Sequence, residues 1–196
     1  LSNLKFKEVK NINVIGMEDN DNYILSKEID NLNIANIFFI NRKEITKKLN
    51  SNNLIEKYDI FKKYPASLNI NIKKTKFLAR INNGGKIFLV GSNGKLSKNN
   101  FSTQLPFIFG KPEIKEFLDF KKIIDQSDFT YDEIKNLYFF PSKRWDMELQ
   151  NDVVIKLSGN NLVDSLKSSF EFLHNNNLKD IKIIDARIKN QIILND

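Results

Sequence analysis

Cysteine is absent from the 196 residues, and histidine occurs once, at His174. Without thiols no disulfide framework and no thiolate chemistry can form. A single histidine leaves any metal site to carboxylates alone. Glycine and proline are also scarce, seven and four, so each possible turn position among them carries information. The longest largely apolar stretch, "IANIFFI" at Ile34 to Ile40, interrupted only by Asn36, is far shorter than the roughly 20 residues that span a bilayer. No signal peptide is seen, but the chain opens on Leu1 rather than Met. That start suits a piece cut downstream of a targeting or membrane segment.

What is present points to a folded chain. The length suits one large or two small domains, and 41% hydrophobic content can build cores. Thirty-one basic against 24 acidic residues give a net charge of +7, which invites a nucleic-acid or anionic-membrane reading. The charge is scattered, however, and its densest pieces, "KKYP" at Lys62 and "IKKTK" at Ile72, are short. A solvated basic surface accounts for it. Phenylalanines that could stack on bases, such as Phe38, Phe39, Phe117 and Phe170, fall at apolar periodic positions and read as core.

The first part of the chain reads strand, helix, helix, strand, strand. "FKEVKNINVIG" (Phe6 to Gly16) is a strand closed by a turn, and Ile24, Leu25, Ile29 and Leu32 follow at helical spacing. Asn41, with Glu44 three residues on, suits the cap of a second helix carrying Ile45 and Leu49. Two extended segments then break at Tyr64-Pro65-Ala66, and in the second Leu68, Ile70 and Ile72 alternate with polar residues. Two helices on one face of a three-stranded sheet would bury both stripes. After Lys76 the texture changes to hairpins, with turn signals at Asn83-Gly84-Gly85 and Asn93-Gly94. This places the domain joint between residues 1–76 and 77–196.

In the second part, Pro112 suits the first turn of a helix carrying Ile114, Phe117, Leu118 and Ile124. "TYDE" at Thr130 has the form of a capping box, yet the "IKNLYFF" that follows is strand-like, and the pattern leaves both readings open. Trp145, Met147 and Leu149 share one face of a strand, "QND" turns, and "VVIKL" returns. A helix from about Asn161 carries Leu162, Leu166, Phe170 and Leu173. The last stretch, "IKIIDARIKNQIIL", alternates so that Ile184, Ala186, Ile188, Ile192 and Leu194 oppose Asp185, Arg187, Lys189 and Gln191. It reads as one long half-buried strand, Ile183 to Leu194, and such a strand at a chain end is an edge that recruits another.

Catalytic chemistry has little support. No Gly-x-Ser-x-Gly setting accompanies His174, and "GSNGK" at Gly91 has the wrong spacing for a phosphate loop. The pairs Asp132-Glu133 and Asp19 with Asp21 suit helix starts. The expectation is no catalytic residue, no metal, no cofactor, no small-molecule substrate and no nucleic acid.

The order of motifs resembles the FtsQ/DivIB family of bacterial cell-division proteins. A strand ending in "VIG", two helices around "NIFFIN" and "YDIFKKYPASLNINIKK" look like its POTRA domain, with Lys63, Tyr64, Pro65, Leu68, Ile70 and Ile72 matching the pattern. "KIFLVGSNGKLS", "LPFIFGKPE", "RWDMELQNDVVIKL" and "IIDARIKNQIIL" are similar to successive pieces of the β domain that follows. The resemblance implies an α+β fold: a β-α-α-β-β POTRA domain, then a mostly antiparallel β domain with flanking helices. It also implies one inner-membrane helix upstream and a periplasmic location. POTRA would meet upstream divisome proteins, and the β domain would bind the periplasmic segments of FtsB and FtsL by strand addition at the last strand. The residues expected to meet the partner are Ile183, Asp185, Arg187, Ile188, Lys189, Asn190, Ile192 and Leu194. For Arg187 a salt bridge to Asp185 is the alternative to a partner carboxylate. The competing reading of the whole chain is a POTRA module of an outer-membrane assembly or secretion protein.

Overall fold

The computed structural model describes residues 11–32, 42–98, 104–175, 181–189 and 191–195. The start of the first strand at Phe6, the "NIFFIN" run with Phe38 and Phe39, the Asn41 cap and Asn190 lie outside them. The chain divides into two compact units, Leu1–Lys76 and Phe77–Asp196.

The first unit runs β1 (Asn11–Ile15), α1 (Asp19–Asp30), α2 (Arg42–Ser51), β2 (Ile55–Lys63) and β3 (Ser67–Lys74). β3 is central, parallel to β1 and antiparallel to β2. Its alternation sends Leu68, Ile70 and Ile72 inward, against Leu25 and Ile29 of α1 and Ile45 and Leu49 of α2. Each such fully buried side chain contributes about 1.5–3 kcal/mol. Ile24, expected in the buried stripe of α1, is instead exposed. Neighbouring helical positions are about 100° apart, so with Leu25 facing in, Ile24 faces out. Gly16 ends β1 at φ +110, and a Cβ there would lie 1.8 Å from the Ile72 carbonyl oxygen. Only glycine fits that approach.

The second unit contains β4 (Phe77–Asn83), β5 (Lys86–Gly91), β6 (Leu96–Lys98), β7 (Phe107–Phe109), α3 (Ile114–Asp125), β8 (Ile134–Phe139), β9 (Trp145–Leu149), β10 (Val154–Lys156), α4 (Leu162–Asn175), β11 (Ile183–Asp185) and β12 (Ile193–Asn195). Its nine strands form one sheet in the order β12-β11-β10-β9-β8-β7-β4-β5-β6. The pairings are antiparallel except β4 with β7, β7 with β8, and β10 with β11. Phe117, Phe120 and Ile124 of α3 and Leu166 of α4 share one core with Ala79, Ile108, Met147, Ile155 and Ile184 of the sheet. Trp145 stacks on Phe120, ring centroids 4.7 Å apart.

The β4–β5 hairpin turns on Gly84 (φ 61) and Gly85 (φ 79), the two positive angles that a two-residue turn matching strand twist requires. Thr130 and Glu133 do form a capping box, around a single 3-10 turn, Tyr131–Glu133, after which β8 starts at once. Both signals in that stretch were therefore real. Pro112 does not open α3: the cap is Glu113, reciprocally bonded with Glu116, and Pro112 stands outside it. Among the described residues no helix is long and apolar enough to cross a membrane.

Candidate functional site

The carboxyl-terminal stretch is a hairpin, not one strand. β11 ends at Asp185, and β12 returns antiparallel, pairing Ile183 with Asn195, Ile184 with Leu194 and Asp185 with Ile193. The expected long edge strand Ile183 to Leu194 is thus corrected to two three-residue strands. β11 is an interior strand, held on its other side by parallel pairing to β10. Val154 N donates to Lys182 O, and Ala186 N donates to Lys156 O, both at 2.9 Å. β12 is the last strand of the sheet.

A side-chain clamp bends the chain here without glycine or proline. The Asp185 carboxylate accepts from Arg187 N at 3.2 Å, from Arg187 Nε at 2.8 and 3.0 Å, and from Arg187 Nη2 at 2.5 Å. Those bonds occupy the carboxylate of a buried residue and start the bend as an Asx-type turn, and Gln191 N, donating to Ile188 O at 3.2 Å, completes the reversal. The Arg187 hydrogen bond, more than any other interaction, holds the Asp185 carboxyl below the ordinary aspartate range, while burial opposes it. The Arg187 side chain itself is 45% exposed.

The clamp closes a row of charge across three strands. Asp146 of β9 lies opposite Lys156 of β10, which lies opposite Asp185 of β11. Asp146 is buried, and burial raises its carboxyl above the usual range against the opposing pull of Arg144. Arg144 Nε and Nη2 donate to it at 3.1 and 3.3 Å, and Leu157 N donates at 3.3 Å. Strand alternation had placed Asp146 on the face away from the core, with nothing to indicate that it is enclosed.

The expected partner residues separate accordingly. Ile183, Asp185 and Arg187 belong to β11 and its clamp. Ile188 is 54% exposed at the bend and Lys189 is exposed beside it. Ile188 had been expected on the buried side of a strand, and leaving the strand removed that constraint. Ile192 packs partly against the core, whereas Leu194, also expected inward, is 41% exposed. Ile193, not singled out in the sequence because it fell on the polar phase, is 39% exposed beside it on the edge strand. The loop residues Ala186, Ile188, Lys189 and Gln191 border a cleft with Ser158, Asn161, Asp164 and Ser165, before and at the start of α4, so the bend and that end of the helix lie side by side. Ser165 and Ser169 are buried on α4, where small side chains permit close approach. Among the described residues no group of histidine, cysteine, aspartate or glutamate could hold a metal. His174 is exposed and stacks on Phe170.

Residues 7–74 match the family described as POTRA domain, FtsQ-type, and residues 79–187 match that described as cell division protein FtsQ/DivIB, C-terminal. Among curated proteins the chain is similar to the cell division protein FtsQ of Bradyrhizobium diazoefficiens, 21% identical over 165 residues, which is 82% of this chain and 48% of that protein. The chain therefore spans about half the length of the curated relative it matches. Among solved structures it is similar to the major extracytoplasmic domain of the trans isomer of the cell division protein DivIB from Geobacillus stearothermophilus. That likeness has a TM-score of 0.37 and 11% identity, over 52% of this chain and 96% of the other.

Proposed function

This chain belongs to the FtsQ/DivIB cell-division family, and from that premise we propose that it is a non-enzymatic scaffold of the bacterial division machinery. It faces the periplasm, anchored in the inner membrane by a single helix upstream of residue 1. The POTRA unit meets upstream division proteins. The second unit binds the periplasmic segments of FtsB and FtsL, with FtsB adding a strand to β12. The POTRA-module reading of outer-membrane assembly has less support, because the larger match, 79–187, is to the division family.

The observation that carries the proposal is the edge itself: β12 ends a nine-stranded sheet with Ile193 and Leu194 both substantially exposed. Main-chain bonds along such an edge supply affinity, and the alternate side chains supply specificity. Ile188 continues the apolar surface at the bend. The Asp185 clamp fixes the Arg187 guanidinium through Nε and Nη2, leaving the rest of the donor fork to meet an acidic partner residue. The salt bridge and the partner contact, set against each other in the sequence, are compatible: the first positions the second.

Capture of an FtsB periplasmic segment by the 196-residue chain tests this. Leu194→Pro removes a main-chain donor, and Ile193→Asp places a charge on the edge. Both variants are expected to lose capture while the melting transition of the sheet is kept. Full capture by Ile193→Asp would refute strand addition at β12.

A further inference from the structure

The β2–β3 hairpin tip of the first unit carries a surface that the scaffold role leaves unused. Phe61 is 53% exposed and Tyr64 60% exposed, and Lys62 and Lys63 lie between them, both exposed. From Ile60 to Lys76 the chain contains no acidic residue. The aromatic rings are not parts of the core: Phe61 and Lys63 point to the sheet face opposite α1 and α2, because Ile60 of the same strand packs with the core on the helical face. The unit as a whole is the more basic of the two, with 14 basic against 9 acidic residues, compared with 17 against 15.

The tip also lies at the end of the sheet where β1 begins. β1 begins at Asn11, which pairs with Ser67, the first residue of β3 after the turn. Asn11 N donates to Ala66 O, in the turn itself, at 3.4 Å. Because β1 and β3 are parallel, β1 begins at the tip end of the sheet, not the opposite end.

We propose that this tip is a membrane-interface contact, in which Phe61 and Tyr64 enter the headgroup region of an anionic bilayer while Lys62 and Lys63 meet lipid phosphates. An amphipathic tyrosine ring settles at that depth, an apolar phenylalanine ring at the boundary with the acyl chains, and lysine stems lie along apolar surface with the ammonium in the headgroups. Anionic lipid attracts each surface lysine by a factor of about five. With β1 beginning at the same end, the contact would hold the unit upright on its anchor. That orientation rests on the upstream helix proposed above, whereas binding of the tip to lipid does not, so the two readings fail separately.

The test is co-sedimentation of the 196-residue chain with vesicles containing phosphatidylglycerol, against vesicles of phosphatidylcholine alone. The expected result is a preference for the anionic vesicles. Lys62→Gln with Lys63→Gln should lower that partitioning about 25-fold, and Phe61→Ser with Tyr64→Ser should lower it as well. Lys43→Gln with Lys47→Gln, on α2, should leave it unchanged. In Tyr64→Trp the new indole should be quenched by brominated lipid, with Trp145, enclosed in the second unit's core, as the unquenched background. Equal loss in the α2 variant would reduce the effect to general charge and overturn the proposal. So would an unquenched Trp at 64, or vesicle binding too weak to detect when the tip variants nevertheless lose capture of a division protein. That last outcome would make the tip a protein-docking site.

Discussion

β2 and β12 both end a sheet, and they meet the hazard of an open edge in opposite ways. β2 is nine residues long and carries Lys57, Asp59, Lys62 and Lys63. β12 is three residues long and presents Ile193 and Leu194 with no charged side chain within its bounds. Charge along an edge discourages pairing, while brevity only limits it. The long edge is thus defended by chemistry, and the short edge carries no such defence. On the proposed reading, in which a partner supplies its own length of strand at β12, edge length alone does not identify a strand-addition site.

The largest effect expected comes from breaking one unit and sparing the other. Leu68→Ala, at a fully buried position beneath both helices of the first unit, should cost about 2–5 kcal/mol. Denaturant unfolding would register it, while FtsB-segment capture at β12 should persist; joint loss would show that the two edges are not independent. Next is removal of the clamp. Arg187→Ala leaves the nearly buried Asp185 carboxylate without its guanidinium and should cost about 1–3 kcal/mol, seen as a lower unfolding midpoint together with weaker capture. An unchanged midpoint would mean the clamp does not hold the bend.

The two enclosed carboxylates give opposite pH signatures. Asp185 has a depressed folded-state pKa, so its stabilisation is present above the ordinary aspartate value, near 3.8, and fades as pH falls below that toward the folded value. Asp146 has a raised folded-state pKa, so its contribution is most favourable at or below the ordinary value and is lost as pH rises through the folded one. Stability profiles of Asp185→Asn and Asp146→Asn, each compared with the unmodified chain, should therefore diverge on opposite sides of pH 3.8. Profiles of the same sign would contradict the assignment of Arg187 as the dominant influence at Asp185. The smallest effect is expected at the guarded edge: Lys73→Ala removes the exposed ion pair to Glu56 of β2 and should shift stability by only about 0–1 kcal/mol.

Where a single period ran between clear breakers, the sequence was enough. Leu68, Ile70 and Ile72 alternate between the Tyr64-Pro65-Ala66 turn and the end of β3, and the structure buries them as a set. Gly84-Gly85 marked the β4–β5 turn because both positions need positive φ. The same logic hid the terminal hairpin. Ile184 and Leu194 are both even-numbered and face each other across it, so the turn preserves the phase of the alternation and a period-two reading passes through unbroken. Nor did a glycine or proline mark the reversal, which the Asp185–Arg187 clamp begins and a main-chain bond from Gln191 to Ile188 closes. Parallel pairings such as β10 with β11 depend on the helix between them and leave no local trace. The burial of Asp146 likewise depends on Arg144 and on the Leu157 amide, neither of which alternation can place.

Amide hydrogen exchange of the chain with and without an FtsB periplasmic segment reads strand addition at β12 residue by residue. Slowed exchange is expected at β12 and the adjoining bend, 188–195, with Ile55–Lys63 unchanged. Protection along β2, with β12 unaltered, would contradict it.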